Sequence, residues 1–388
     1  MSKVSKKVTF TILSISLLTV MAGAAMAPAL GIIREHFHSY SSILVQLIVS
    51  LPAFFIIVSN LCFSTLCRFF RTKTIATIGL LLYVCAGMGA YFFDNIWIIL
   101  CLRAVLGISV GFIMPLSTGL LSYYFPPEEQ AHLMGLSAAM NQMGGVVATL
   151  LAGFLATVSW NLSFFVYGLG LISLVLVLLF LPNEKLISRT SKISAKTLVR
   201  FHPSVIGMLL LMSIFFIFPT NFAITAKQST SLSSNQITLI MVGLDVIAFF
   251  VGLGFGGLMN KFRVAIKYFA PCFFFLGYMF YVIDGGVWGF IIGSLFIGIA
   301  NGVGIPYLNT IASIKGGKDS ATTVMPLLSA SLYLGQFISP LIVSPLSKVF
   351  FSEYDLLSPY KIGMFICIIF FIQVYTTRHF QSLPPERK

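Results

Sequence analysis

The sequence predicts an all-α membrane protein in which twelve transmembrane helices form two pseudo-symmetric bundles of six. Two observations lead to this class. The 388 residues are 58% hydrophobic and only 9% charged, whereas soluble domains carry about 25% charged residues. In addition, segments of the first half recur in the second half at a nearly constant displacement. We therefore expect a chain that is embedded in lipid and contains an internal repeat.

The repeat is clearest where two glycines and a proline follow one another at intervals of four residues. These residues are Gly107, Gly111 and Pro115 in the first half, and Gly298, Gly302 and Pro306 in the second. The step from position 107 to position 298 is 191 residues, and Gly144 and Gly335 are separated by the same distance. Two related halves of about six hydrophobic segments are typical of carriers that open alternately to the two sides of a membrane.

Apolar runs long enough to cross about 30 Å of hydrocarbon recur along the chain. We predict spans over residues 8–33, 42–63, 74–92, 96–121, 131–157, 160–182, 204–227, 236–258, 267–284, 288–314, 322–347 and 361–378. The first span also resembles a secretory signal, because Lys6 and Lys7 precede an apolar run and small residues follow it. We expect it to be retained, since its removal would leave eleven spans and an unmatched first half.

The positive charge follows the predicted topology. With a cytoplasmic N-terminus, 19 of the 24 Lys and Arg residues fall in cytoplasmic segments. This bias predicts that both termini are cytoplasmic in a multi-pass protein of a bacterial-type cytoplasmic membrane. The formal net charge of +13 therefore reflects orientation in the bilayer, and we expect no nucleic-acid partner.

The predicted organisation is an N-terminal six-helix half (1–182), a basic cytoplasmic linker (183–203) and a C-terminal six-helix half (204–388). The linker is rich in Ser, Thr and Lys, as a solvated tether would be. Residues 185–192 can alternatively form a short amphipathic helix on anionic lipid.

Several motifs resemble those of the major facilitator superfamily, and most closely its twelve-span drug:proton antiporters. Arg103, Gly107 and Gly111 are similar to the family's RxxxG motif in the fourth span. The loop between spans two and three keeps Leu66 and Lys73 of the family pattern, but Arg68 replaces its Asp. Span five keeps the small residues of the antiporter motif and lacks its proline. The resemblance implies two six-helix halves and transport coupled to a proton gradient.

Two ionisable residues lie inside the predicted spans, Arg103 and Asp245. Each costs about 2.5–3.5 kcal/mol even on the lenient insertion scale, so each is a functional candidate. Asp245 lies on a helix with a stripe of small residues at Ala248, Gly252 and Gly256, which favours a position facing protein or a cavity. It can serve as a proton or cation-substrate site, as a structural hydrogen-bonding group, or in direct substrate recognition. By its motif, Arg103 tunes a proton site or contacts an anionic substrate; alternatively it bonds carbonyls of span one.

Other polar residues inside spans are candidates for lining a substrate cavity or for interhelical hydrogen bonds. They are Gln46, Asn141, Gln142, Asn221, Asn301, Tyr307, Asn309 and Gln336. Asn301 and Asn309 flank the glycine and proline of span ten and have the better claim. Small or helix-bending residues are candidates for gating positions: Gly107, Gly111, Pro115, Gly298, Gly302, Pro306 and Pro340.

Several chemistries have no signature in the sequence. There is no Walker phosphate loop, no HExxH motif, no Cys or His pattern of metal ligands and no catalytic acid–base set in the spans. We therefore expect no enzyme, no metal and no cofactor. The predicted function is proton-coupled efflux of a hydrophobic or amphipathic small molecule by a monomer in the lipid bilayer. Uptake or facilitated exchange of a small metabolite is the alternative within transporters, and a non-transporting membrane receptor is the alternative outside them.

Overall fold

The computed structural model describes residues 6–125, 127–184, 195–263, 265–316, 324–351 and 355–378. Within these ranges twelve helical segments are long and apolar enough to cross a membrane, and no strand occurs. The predicted all-α class with twelve spans is confirmed. The segment 185–192, interpreted as a tether or a surface helix, lies outside the described residues.

The chain divides into two compact units, Met1–Thr190 and Ser191–Lys388. In the N-terminal unit two 3₁₀ stretches, Ala90–Phe92 and Trp160–Leu169, accompany the α-helices. The α-helices are α1 (Lys6–Ala24), α2 (Leu30–His36), α3 (Ser42–Phe69), α4 (Thr72–Gly89), α5 (Ile96–Tyr124), α6 (Pro127–Val158) and α7 (Gly170–Phe180). The Asn95 side chain caps α5, since its Oδ1 accepts a hydrogen bond of 2.9 Å from the amide of Trp97.

The C-terminal unit contains one described 3₁₀ stretch, Ala265–Tyr268. Its α-helices are α8 (Ala195–Phe215), α9 (Ile217–Ser229), α10 (Ser234–Leu253), α11 (Phe255–Phe262), α12 (Phe269–Asp284), α13 (Val287–Gly316), α14 (Met325–Phe350) and α15 (Ser358–Thr376). A capping box between Ser233 and Gln236 starts α10. Gly285 ends α12 with a φ of 59°, a left-handed conformation that favours glycine.

The first helix of each unit breaks four residues before a proline. α1 ends at Ala24, ahead of Pro28, whereas the sequence predicted a span over 8–33; α8 ends at Phe215, ahead of Pro219. Proline has no amide hydrogen and cannot donate to the carbonyl four residues earlier, so the hydrogen-bond ladder stops there. Pro28 and Pro219 are themselves 191 residues apart, so the break belongs to the repeat.

The prolines that we considered as helix-bending residues lie inside helices that continue through them. α5 contains Pro115, α13 contains Pro306, and α14 contains Pro340. Span eight is shorter than the predicted 236–258, since α10 ends at Leu253 and α11 begins after Gly254. A gating role for these prolines stays a prediction.

The glycine repeat brings equivalent helices together in each unit. A methyl group placed on Gly107 of α5 would overlap the Pro52 carbonyl of α3, and one placed on Gly298 of α13 would lie 2.8 Å from the Leu244 carbonyl of α10. Gly111 and Gly302 approach α3 and α10 one turn further along, at Ile56 and Ala248. The repeat in the sequence is therefore a repeated close contact between the second and fourth spans of each unit.

The other glycine pair makes a second repeated contact. Gly144 of α6 lies against the Leu17 carbonyl of α1, and Gly335 of α14 lies against the Leu209 carbonyl of α8. The first and fifth spans of each unit thus approach backbone to backbone. Close approach at small residues is how helices associate where lipid removes the hydrophobic driving force.

We predict that Gly302→Ala destabilises the protein by about 1–3 kcal/mol, the usual cost of overpacking. The new methyl group would lie 2.6 Å from the Ala248 carbonyl oxygen and 2.9 Å from Cβ of Val251. Thermal unfolding of the purified protein in detergent measures the effect. Gly256→Ala is the matched control, because among the described residues no heavy atom outside its own helical turn lies within 4 Å of the position of its methyl group. Equal melting temperatures for the two variants would contradict the packing described here.

Candidate functional site

Arg103 of α5 lies at the centre of a buried cluster in the N-terminal unit. Its side chain is 0% exposed. The guanidinium carbon is 4.9 Å from the ring centre of Phe164 and 4.7 Å from that of Tyr167, so both rings attract the cation. Nη1 of Arg103 donates a hydrogen bond of 2.6 Å to the Tyr167 hydroxyl. We call Arg103, Phe164 and Tyr167 the arginine cluster.

The arginine cluster is bonded to α1 through Tyr167, and Tyr83, which lies beside the cluster, bonds the same helix. The Tyr167 hydroxyl donates to the Ala22 carbonyl at 3.2 Å, and the Tyr83 hydroxyl donates to the Leu18 carbonyl at 3.3 Å. The two rings meet edge to face with centroids 5.6 Å apart. The structural interpretation of Arg103 predicts that it bonds carbonyls of span one. In the structure Tyr167 stands between the arginine and that backbone.

One edge of the guanidinium has no hydrogen-bond partner among the described residues. Nε and Nη2 of Arg103 are both buried and unpaired. These two N–H groups form the fork with which arginine binds a carboxylate through two parallel hydrogen bonds. A buried cation without a paired anion is costly, and the aromatic rings compensate only part of that cost. The site is thus a fixed cation whose anion-binding edge is unused.

The C-terminal unit repeats the tyrosines but not the charge. The Tyr278 hydroxyl donates to the Ile214 carbonyl of α8 at 2.5 Å, as Tyr83 does to α1. The Tyr278 ring lies 5.8 Å from that of Tyr360. Ser294, 191 residues after Arg103, shares a hydrogen bond of 2.6 Å with the Tyr281 hydroxyl. A neutral serine therefore stands where the first unit has its buried arginine.

Sequence reasoning missed these tyrosines, although a signal existed. Tyr167 and Gly170 recur as Tyr360 and Gly363, 193 residues later. Each glycine leaves room for the ring of a neighbouring tyrosine. A methyl group on Gly170 would lie 2.8 Å from Tyr83, and one on Gly363 would lie 2.9 Å from Tyr278. A search of the repeat for pairs of aromatic and small residues would have found the cluster.

Asp245 lies in α10 of the C-terminal unit and is partly exposed. Its neighbours Leu244 and Ala248 are buried, and their carbonyl oxygens pack against Gly298 and Gly302 of α13. Within the predicted stripe of small residues, Gly252 also points at α13, where a methyl group would lie 3.8 Å from the Gly302 carbonyl oxygen. By helix geometry, Asp245 therefore stands at the edge of the face that packs on α13.

Two of the predicted cavity residues make hydrogen bonds inside their own unit. Asn141 Oδ1 accepts a bond of 2.7 Å from the Thr19 hydroxyl of α1. Asn221 Nδ2 donates to the Ile217 carbonyl at 2.9 Å, close to the break between α8 and α9. These bonds fit the interhelical or local structural interpretation of both amides.

The other candidates differ in burial. Gln46 and Tyr307 are buried, Asn309 and Gln336 are partly exposed, and Gln142 is exposed. Tyr307 lines a small cavity together with Lys267 and Gly304. Asn301 of α13 has a buried Oδ1 without a hydrogen-bond partner among the described residues. Asn301 itself is partly exposed, but this buried acceptor atom lies on the helix that packs against the helix of Asp245.

The described residues contain no group of three or more His, Cys, Asp or Glu side chains that could hold a metal ion. What the structure offers instead is a repeated helical framework that contains an intramembrane cation in one unit and an intramembrane acid in the other. Twelve membrane-crossing helices with such groups define a membrane transporter. The chain belongs to the Major Facilitator Superfamily, whose sequence profile matches residues 12–340. It is thus a transporter and not an enzyme.

Similarity to named relatives is distant but extends over most of the chain. The quinolone resistance protein NorA of Staphylococcus aureus (strain MRSA252) is 24% identical over 295 residues, which are 71% of this chain and 74% of that protein. A short segment of 53 residues, 14% of this chain and 10% of the other, is 47% identical to the probable anion transporter 3, chloroplastic, of Arabidopsis thaliana.

Solved structures share the fold at low sequence identity. A bacterial homologue of the human lysosomal transporter Spinster, in an inward-facing and occupied conformation, has a TM-score of 0.74 at 15% identity and covers 98% of both chains. A POT family transporter in complex with 5-aminolevulinic acid has a TM-score of 0.81 at 10% identity, over 97% of this chain and 96% of that one. The predicted resemblance to the superfamily is confirmed.

We predict that Gly87→Ala disturbs the arginine cluster. Its methyl group would lie 2.6 Å from Cγ of Tyr167 and would push that ring away from Arg103, at a cost of about 1–3 kcal/mol. The matched control is Gly89→Ala in the same helix, where no heavy atom of the described residues outside its own helical turn lies within 4 Å of the new group. Thermal unfolding of both variants is the measurement, and a Gly87→Ala protein as stable as the Gly89→Ala protein would refute the prediction.

Proposed function

We propose that this transporter exports hydrophobic or amphipathic small molecules, quinolones among them, in exchange for protons. The observation that carries the direction and the substrate class is the similarity to a quinolone resistance protein over 71% of the chain. The composition supports the substrate class, since 38 Phe and 15 Met residues supply apolar and adaptable contact surface.

Proton coupling rests on Asp245. A carboxyl group inside a span binds a proton readily when it is desolvated and releases it when water or a cation approaches. Asp245 lies in a candidate span, Ser234–Leu253, and is partly exposed, so that a change in its surroundings can change its protonation. We assign to it the proton or cation-substrate site. By alternating access, such a group can load a proton on one side of the membrane and release it on the other.

Arg103 is the second coupling residue of the proposal. Its charge is fixed in place by Tyr167 and Phe164, and its Nε and Nη2 edge remains available to an anionic group. Such an edge can stabilise a carboxylate that appears beside it during part of the transport cycle. Asn301, with its unused buried acceptor, is the best of the cavity candidates.

The proposal also includes the orientation of the protein in the membrane and its oligomeric state. The distribution of Lys and Arg supports a bacterial-type cytoplasmic-membrane protein with both termini in the cytoplasm. We further propose that it works as a monomer. Labelling of a cysteine introduced at Ser231, between α9 and α10, by an impermeant maleimide on intact cells tests this orientation. We expect the maleimide to label this cysteine from outside the cell. A cysteine that is not labelled would contradict the proposed orientation.

Transport into everted membrane vesicles tests the function. We expect a fluorescent quinolone to accumulate when the vesicles are energised, and a protonophore to abolish the accumulation. Counterflow that persists without any gradient would favour exchange or facilitated passage instead, an alternative supported by the loss of the antiporter proline, where the sequence has Thr149. Binding of the quinolone without flux would favour a receptor.

We predict that Asp245→Asn lowers proton-driven quinolone uptake into these vesicles at least tenfold and leaves the amount of protein in the membrane unchanged. The amide cannot take up and release a proton, although it has nearly the same size. Asp355→Asn is the control: this carboxylate pairs with Lys361 at 2.7 Å, outside the candidate spans. An Asp245→Asn protein whose uptake responds to pH as the wild type does would discard the assignment.

A further inference from the structure

The hydroxyl of Tyr167 takes part in two hydrogen bonds at once. Nη1 of Arg103 can only donate, so the hydroxyl oxygen is the acceptor at 2.6 Å. The single hydroxyl proton is then directed to the Ala22 carbonyl at 3.2 Å. The chain of bonds has one polarity, from the arginine through the tyrosine to the backbone. The positions of Arg103 and of the Ala22 carbonyl are therefore linked through one hydroxyl group.

The far end of this chain of bonds is the break in the first span. Ala22 lies in the last turn of α1, which ends at Ala24. Carbonyls in the last turn of a helix have no donor within the helix. The hydroxyl of Tyr167 therefore supplies a donor at the place where the first span is least supported by its own backbone.

The comparison with the second unit separates this role from packing. Tyr360 stands 193 residues after Tyr167 and also lies beside a partner tyrosine, at 5.8 Å in place of 5.6 Å. The position equivalent to Arg103 is Ser294, whose hydroxyl bonds Tyr281. The repeat thus preserves in both units the aromatic packing and a tyrosine hydroxyl bonded near the end of the first span, Tyr278 to Ile214 in the second unit. Among the described residues, the unit that joins such a tyrosine to a buried arginine is the first.

We propose that Tyr167 is a positioning residue for transport, which holds the guanidinium of Arg103 and the broken end of α1 in a fixed relation. The inference rests on the proposed coupling role of Arg103 and deepens it. The hydroxyl of Tyr167 accepts the hydrogen bond of Nη1, and both rings lie within 5 Å of the guanidinium carbon. The Nε and Nη2 edge is the part that remains for an anionic group, and its direction is set by Tyr167.

The test compares two tyrosines that bond to the same helix. Tyr167→Phe keeps the ring beside Arg103 and removes both hydroxyl bonds. Tyr83→Phe removes a bond of the same kind, to the Leu18 carbonyl, without removing any hydrogen bond of Arg103. We expect Tyr167→Phe to lower the maximal rate of quinolone uptake at least fivefold with KM within twofold of wild type. Tyr83→Phe should change both by less than twofold, with melting temperatures close to each other.

A second measurement does not depend on the substrate. Hydrogen exchange of the backbone amides from Ala25 to Ile33 reports the support of the broken helix end. We expect exchange there to be at least tenfold faster in Tyr167→Phe and in Arg103→Gln, and no faster still in the double variant, because both changes cut the same chain of bonds. Tyr83→Phe should leave these amides within threefold of wild type.

The outcomes are distinguishable. Equal loss of transport in Tyr167→Phe and Tyr83→Phe, in step with melting temperature, or additive exchange in the double variant, would overturn the positioning role. Loss of transport in Arg103→Gln with wild-type behaviour of Tyr167→Phe would overturn this inference and keep the proposed function. Wild-type transport in Arg103→Gln would overturn the coupling role of Arg103 itself.

Discussion

Inside a bilayer every backbone carbonyl has to find its hydrogen-bond donor within the protein, and the organisation of each unit follows from this constraint. Helices satisfy it along their length, but the first span of each unit breaks ahead of a proline, Pro28 or Pro219. Side chains supply donors near the breaks: the hydroxyls of Tyr167 and Tyr278 reach Ala22 and Ile214. The two tyrosines therefore both complete the hydrogen bonding of the backbone and pack in the core of their units.

The framework is repeated, whereas the ionisable groups are not. The contacts at Gly107 and Gly298 and at Gly144 and Gly335 are equivalent in the two units. Arg103 has Ser294 as its counterpart. Asp245 has Ala53, which is 192 residues earlier, since Gly298 meets Leu244 where Gly107 meets Pro52. A duplicated scaffold can conserve its packing in both copies while each copy acquires a different charged group for function.

Most of the fold could be predicted from the sequence, because hydropathy over a span and spacing within a repeat are properties of the chain alone. The end of the first span could not be predicted from hydropathy, since residues 20–33 are apolar throughout and α1 nevertheless ends at Ala24, four residues before Pro28. The candidate site was predicted in part. Arg103 stood out by its charge, but tyrosines in an apolar run resemble ordinary packing residues. The partners of Asn141 and Asn221 depend on neighbours that no spacing in the sequence reveals.

The 3₁₀ stretch Trp160–Leu169 determines the geometry of the arginine cluster. At three residues per turn, side chains three positions apart lie directly above one another, so Phe164 and Tyr167 fall nearly into register and both reach the cation. Rewinding the segment as an α-helix would rotate one ring by about 60° against the other and shorten the segment by about 0.5 Å per residue. The 3₁₀ winding of the sixth span thus sets how both rings lie against the buried charge.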